Sequence, residues 1–451
     1  VITYTSISGE TVRVLGLIVE YNPFHNGHLY HLKKSVELIN PDYTVAVMSG
    51  NFVQRGEPAI VDKFARTKMA LAYGADAVFE LPFVYCIQDA GGFACGSVGV
   101  LHRTGIVTDI VFGSESSDIN ILNEISGILS SQPHEYTVIL KKYLKEGLSF
   151  PNARKYAILD YLTSHNFPVE DIRLLEKSND ILGLEYLNYL KQYGSSIQPH
   201  CIAREGSAYN DETVTSRLAS ATAIRNIIKE ENIAFLKELV PEISFEIILS
   251  EFENGKGPVF FEYMREIILS KIRLMDKNDL LTIYGIKEGL EDRFYNYSRR
   301  SMDLDCLLKN LKTKRFTYSR LKRALIHILF NLSEKEIKTY NSQGPQYLRV
   351  LGFNTKGKEL LAHIKKKSRY PLIPTASQYY QIYKYLLKNQ NDPDKKYDSD
   401  PIIYMDQINR DFDASNVYSL LYPEKEHAMF EPDKKNQIII MEENDEKTSH
   451  Y

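Results

Sequence analysis

His25-Asn26-Gly27-His28 is the tetrad whose residue types and spacing point most directly to chemistry. It follows a short apolar run, Leu15-Gly16-Leu17-Ile18-Val19, and opens a segment of helical periodicity marked by Leu29, Leu32, Val36 and Ile39. A helix start presents free backbone N–H groups and a partial positive charge, which suits an anion. Gly27 has no side chain, so a flat adenine ring can approach the backbone there. His25 and His28 are three residues apart and project to one side. Neutral or protonated, both can donate hydrogen bonds to phosphate oxygens. That would stabilise charge gathering on an α-phosphate and on departing pyrophosphate. Asn22-Pro23-Phe24 suits a tight turn between strand and helix. The pattern predicts the ATP site of an enzyme that works by adenylyl transfer. With 11 His and 24 Gly in 451 positions, H-x-G-H arises by chance only about 0.014 times. The plainer alternatives are a helix start with solvated histidines and a metal pair made with His31.

A second candidate is Ser220-Ala221-Thr222-Ala223-Ile224-Arg225, also at a predicted helix start. Ser220 and Thr222 either cap that helix or bind the β- and γ-phosphates, with Arg225 as a planar donor fork. The H-x-G-H upstream favours the phosphates. His25, His28 and Arg225 are thus the candidate catalytic groups. Gly113, ending a strand, either makes room for adenine or ribose or serves a turn. Asn179 and Arg204 are further candidates, whose plainer roles are a helix cap and a partner for an acid. The loop Ser49 to Pro58 is rich in polar side chains and glycine. A substrate carboxylate could meet Gln54 or Arg55 there, unless the loop is only a solvated connection.

These residues need a frame that brings them together. Apolar, β-branched runs recur at Thr44 to Met48, Asp76 to Leu81 and Thr108 to Phe112, with helical patterns at His28 to Ile39, Lys63 to Tyr73 and Gly91 to Leu101. The alternation predicts βαβ units and a Rossmann-like α/β fold with a parallel sheet. Ligands in such sheets bind at the carboxyl ends of the strands. The chain reads as mostly helical from Ser117 to Tyr193. Short strands are expected at Leu174-Leu175 and His200 to Ala203, and a helix at Ala221 to Lys229. Helices dominate from Ile233 to Arg369, so a mainly α-helical domain follows the α/β one. Asn389 to Asp400 and Glu424 to Lys435 read as polar linkers, and Glu442 to Tyr451 as a disordered tail.

Composition sets outer limits. Charged residues are 25 %, hydrophobic ones 43 %, and the net charge is −3, as in an ordinary globular protein with no global bias towards nucleic acid. No apolar run of about 18 residues predicts a membrane span. Val1 to Glu10 lack the pattern of a secretory leader, and the missing initiator Met reads as a truncated start. Cys86, Cys95, Cys201 and Cys306 form no C-x-x-C pair, which argues against a disulfide framework or zinc site and for a cytoplasmic protein. No acidic cluster demands a metal, though Mg2+ on the phosphates is plausible. One local patch stands out: Lys309, Lys312, Lys314, Arg315, Arg320, Lys322 and Arg323, interleaved with Phe316 and Tyr318 and free of acids. Such a stretch can neutralise phosphates while its aromatics stack on bases, or simply be a solvated helix face. Lys365-Lys366-Lys367 with Arg369 is a smaller patch.

Gly16 to His31 closely resembles the N-terminal signature of the bacterial tRNA(Met) cytidine acetate ligase family. Ser49 to Pro58, Asn179 to Tyr186, Ser220 to Arg225, Lys314 to Thr317 and Asp413 to Tyr418 are similar to that family too. The likeness runs from about Val14 to Leu421. It implies a nucleotidyltransferase domain over 14–230, a helical tRNA-binding domain over 231–388 and a partly packed C-terminal segment over 389–451, with 1–13 as an extension. It also implies that ATP and acetate give acetyl-adenylate, whose acetyl group passes to N4 of the wobble cytidine of elongator tRNA(Met), forming N4-acetylcytidine. By this resemblance Ile18, Val19, Glu20, Tyr21, Asn22, Pro23, Phe24, His25, Asn26, Gly27, His28, Leu29, Tyr30 and His31, with Gly113, Asn179 and Arg204, contact ATP. A small-molecule adenylyltransferase and a non-catalytic nucleotide-sensing RNA-binding protein are the alternatives. The sequence leaves carboxylate preference and oligomeric state open.

Overall fold

The apolar runs that begin at Leu15, Thr44, Asp76 and Thr108 form β1 (Val14–Val19), β2 (Tyr43–Ser49), β3 (Ala77–Leu81) and β4 (Asp109–Ser114). The computed structural model describes residues 4–5, 11–148, 150–165, 167, 177–204 and 219–442. Between the strands lie α1 (Asn26–Ile39), α2 (Lys63–Ala72) and α3 (Ala90–Arg103). Then follow α4 (Ser178–Gln192), β5 (Gln198–Ala203) and α5 (Ala221–Lys229). The five strands are parallel, in the order β3-β2-β1-β4-β5.

Both faces of the sheet are buried along β1 to β4, which is why these strands read as nearly continuous apolar runs, whereas the edge strand β5 is half-buried to exposed. Val14, Val45, Val47, Ala77 and Phe79 face one core, and Leu15, Leu17, Ala46, Met48 and Val78 the other. This is the two-residue alternation of a pleated strand. The first core runs on without a break through Phe261, Ile268, Leu290, Phe294, Leu325 and Ile328 of the helical part.

The span 233–369, expected to be helical, contains one strand, β6 (Leu348–Asn354). It pairs antiparallel with β3 and carries the parallel strands β7 (Leu372–Ile373) and β8 (Ile439–Met441). The sheet therefore draws on all three expected segments, 14–230, 231–388 and 389–451, and the boundaries at 230 and 388 do not separate cores. Arg349 had hidden β6 by interrupting its apolar run. The Arg349 side chain is only 7 % exposed and is matched by acids from distant parts of the chain. Its Nη1 lies 3.0 Å from Glu80 Oε2 and its Nη2 3.2 Å from Asp433 Oδ1. Lys63 Nζ, fully buried, sits 2.7 Å from Glu80 Oε1 and 2.8 Å from Asp433 Oδ1. Asp411 completes the group, accepting from Tyr347 Oη (2.5 Å) and from the Phe83 backbone N–H (2.8 Å). Burial and the charge of Glu80 push the Asp411 carboxyl up, while the two cations hold Asp433 down against its burial. Asp433 is thus anchored in the interior, although Glu424 to Lys435 was expected to be a linker. Asp411 and Ser415 belong to the long helix Pro401–Ser419, which packs over the same group.

The expected strand at Leu174-Leu175 and the tail beyond Glu442 lie outside the described residues. All four cysteines are free. Among the described residues no helix is long and apolar enough to cross a membrane.

Candidate functional site

The strand order reverses between β1 and β4. After β1 the chain turns into α1, whose Leu32 and Ile39 join one core; α4, which precedes β5, sends Leu184 and Leu187 into the other. Connections leaving on opposite faces open a crevice at the carboxyl ends of the two strands. A cavity lies there. From the β1–α1 segment it is lined by Ile18, Val19, Glu20, Tyr21, Asn22, His25, Gly27, His28, Tyr30 and His31. Gln54, Arg55, Gly113, Asn179, Arg204, Ser220, Thr222 and Arg225 also line it.

Four expected residues are not brought into it. Phe24 is fully buried and stacks on Tyr73, with ring centroids 5.0 Å apart. Leu29 packs against the sheet core. Asn26 donates its side-chain N–H to the Glu238 carbonyl at 3.0 Å. Pro23 belongs to the turn and does not line the cavity. Conversely Phe93, Leu182 and Tyr186 line the cavity unpredicted. They come from α3 and α4, and only the topology sets them opposite α1.

His25 is the N-cap of α1. Its Nδ1 accepts from the Gly27 N–H at 3.0 Å, and His28 Nδ1 accepts from the His25 N–H at 3.4 Å. The two imidazoles, centroids 3.7 Å apart, so form a reciprocal capping box. Since each Nδ1 acts as acceptor, this pairing puts the proton of the neutral rings on Nε2; the His28 ring also meets the Pro23 carbonyl. Burial, with the charges of Arg204 and Arg225, lowers the His25 pKa to about 3. Burial and then Arg204 lower His31 to about 4, and burial with its histidine neighbours pushes His28 well down. His25 is 6 % exposed, so its shift is the least screened by solvent. A stability consequence follows. The unfolded chain protonates His25 near pH 6.5 and the folded one does not, so this contribution is complete above pH 6.5. It is lost as pH falls towards 3, at about 1.4 kcal/mol per pH unit. Thermal melts of the substrate-free protein at pH 7.5 and 5 should show His25→Asn, which keeps a cap, losing less stability on acidification than wild type. An equal loss would contradict the assignment.

The second motif caps a helix, and its Ser220, Thr222 and Arg225 also line the cavity. Ser220 Oγ accepts from the Ala223 N–H at 3.1 Å and caps α5. Arg225 Nη2 donates to Thr222 Oγ1 at 3.3 Å and its Nη1 to the Asn22 carbonyl at 3.0 Å. Gly113 lies within β4 rather than in a turn. A Cβ there would come within 3.2 Å of Arg204 Cγ and 3.9 Å of His31 Cδ2, so the missing side chain keeps that gap open. Asn179 is not the cap of α4. Glu115 supplies the anion at that helix start, accepting from the Asp180 N–H at 3.1 Å, and it also holds Asn179 Nδ2 at 2.7 Å. Glu20 is driven up in pKa by burial, and accepts from the Gln54 N–H at 2.7 Å.

The basic stretch divides in two. Lys322 and Arg323, on α6 (Tyr318–Leu329), turn inward: Lys322 Nζ lies 2.5 Å from Glu57 Oε1, and Arg323 Nη1 donates to the Gln54 carbonyl at 3.2 Å. Phe316 is core, 5 % exposed, and is not offered for stacking. Lys314, Arg315 and Tyr318 are exposed. Arg315 and Arg320 share Glu288, at 2.6 and 3.7 Å, and Lys312 Nζ donates to the Thr313 carbonyl.

A family profile described as HIGH Nucleotidyl Transferase matches residues 12–433. A tRNA(Met) cytidine acetate ligase of Fervidobacterium nodosum is 50 % identical over 430 residues, 95 % of this chain and 100 % of that protein. One from Thermotoga maritima is 46 % identical over 415 residues, 92 % of this chain and 97 % of that protein. The crystal structure of Thermotoga maritima TmcAL bound with alpha-thio ATP superposes with a TM-score of 0.90 at 44 % identity, covering 95 % of this chain and 100 % of the other.

Proposed function

The chain belongs to the tRNA(Met) cytidine acetate ligase family, and from that premise we propose that it activates acetate with ATP and acetylates a tRNA cytidine. The observation that carries the reading is the convergence, on one cavity at the sheet's switch point, of the His25–His28 cap, the α1 N-terminus and Arg225. An acetate oxygen attacks the α-phosphorus and pyrophosphate leaves. The cytidine N4 then attacks the acetyl carbon, AMP leaves, and N4 gives up a proton. The first step needs alignment and charge neutralisation more than covalent help. Neutral Nε2–H donors on His25 and His28, the helix N-terminus, Ser220 and Arg225 provide that on the phosphates. Gly113, Asn179 and Arg204 face the nucleoside, and Gln54 and Arg55 take the acetate carboxylate. Magnesium would arrive with the triphosphate; among the described residues no three His, Cys, Asp or Glu side chains converge to hold an ion. The tRNA is the wobble-cytidine elongator tRNA(Met), in the cytoplasm.

Acetate-dependent release of pyrophosphate from ATP tests the first half-reaction. Release with a mononucleotide instead would point to a small-molecule adenylyltransferase, and no release to a binding protein. For tRNA, the outward residues Lys314, Arg315 and Arg320 form the contact surface, with Lys312 beside them. Lys322 and Arg323 contribute by holding the loop at Gln54. Replacing Lys314, Arg315 and Arg320 together by Ala should weaken tRNA binding by about tenfold or more and flatten the slope of log K against log salt by about 2 to 3. Adenylate formation should be spared. An unchanged affinity would remove this surface from the account.

A further inference from the structure

We propose that Glu57 is a positioning residue that sets how Arg225 meets the nucleotide phosphates and ties that setting to Lys322 of α6. The proposal rests on reading the cavity as the adenylation site. Glu57 meets two cations at close range, with the charge of Arg55 also acting on it. Oε1 lies 2.5 Å from Lys322 Nζ, and Oε2 lies 3.7 Å from Arg225 Nη2. The side chains of Arg225, Glu57 and Lys322 are 16, 18 and 23 % exposed, so salt and water screen this triad less than a surface pair. Burial alone would raise the Glu57 carboxyl, but Lys322 and Arg225 outweigh it and keep it ionised.

The backbone makes the link mechanical as well. Gly56 has φ +76°, and a Cβ there would lie 2.4 Å from the Arg323 backbone nitrogen. The loop is thus seated directly on the main chain of α6. Arg323 Nη1 donates to the Gln54 carbonyl, and the Gln54 N–H donates to Glu20 Oε1 in the cavity wall. Lys322 itself lines no part of the cavity. It can influence ATP only through what it does to Glu57 and the loop. Arg225 is aimed by its bonds to Asn22 and Thr222, and its charge is offset by whatever share of Glu57 it receives. When Lys322 is removed, that share grows, with Arg55 also acting on Glu57, and Arg225 has less positive charge to offer the phosphates.

The experiment is acetate-dependent ATP–pyrophosphate exchange by the full chain as wild type, Lys322→Met, Glu57→Gln and the double variant. Lys322→Met should raise the KM for ATP about tenfold with kcat within about threefold, while the same change in the Glu57→Gln background should move KM by less than about twofold. Lys322→Arg should restore the wild-type value. Lys322→Gln, which preserves more of the side chain, serves if Lys322→Met does not fold. An equal fold-change in both backgrounds, or none in either, overturns the relay and leaves the cavity reading intact. A wild-type chain with no acetate-dependent exchange overturns the cavity reading itself, and the relay with it.

Discussion

Replacing His28 by alanine is expected to lower acetate-dependent pyrophosphate exchange by about 10²- to 10³-fold, the loss typical of removing one donor aimed at charge that develops in a transition state. The imidazole makes two contacts with His25 at once. Its Nδ1 accepts from the His25 N–H, and its ring lies 3.7 Å from that of His25. Alanine therefore removes one Nε2–H donor and loosens the neighbour that carries the other. The cap itself costs about 1 kcal/mol, too little to unfold α1, which keeps Leu32 and Ile39 buried. Circular dichroism and tRNA affinity should then match wild type while exchange collapses. A variant with full exchange would mean that the histidines merely cap a helix.

Asp433→Ala should cost the fold about 3–5 kcal/mol, the range for removing one partner from a buried ion pair. Lys63 and Arg349, 0 and 7 % exposed, would then share Glu80 alone. Asp411 is a poor substitute, since its nearest oxygen is 3.9 Å from Arg349 and its carboxyl is pushed towards the neutral form. The contrast with Asp411→Asn is informative. That change keeps an oxygen for the Phe83 N–H, removes only part of a charge and disturbs the bond from Tyr347 Oη, so it should cost less. Urea or thermal unfolding checks both. A cost for Asp433→Ala below about 1 kcal/mol would show that the C-terminal segment does not hold the sheet.

The same residues show what was legible in the sequence. Strands β1, β2 and β4 could be read because burial on both faces leaves nearly continuous apolar runs, and β3 because Ala77-Val78-Phe79 precede its one charged residue, Glu80. His25, Gly27 and His28 could be read because one helix start sets their geometry locally. What could not be read depends on partners far along the chain. Arg349 masked β6 because Glu80 and Asp433, which neutralise it, stand far from it in sequence. Lys322 passed for part of a nucleic-acid patch because its acid, Glu57, is 265 positions away. Phe24 sits beside the motif and is core, whereas Phe93 looks like core and lines the cavity. Adjacency in sequence set the first expectation, and only the packing of α3 against the sheet could set the second.

The most direct test of the central claim is mass spectrometry of nucleosides from tRNA(Met) incubated with this chain, ATP and isotope-labelled acetate. The account predicts labelled N4-acetylcytidine that appears only when both ATP and acetate are present and disappears with His28→Ala. Labelled acetyl-adenylate with unmodified tRNA would contradict the acceptor, and the absence of both products would contradict adenylyl transfer to acetate at this cavity.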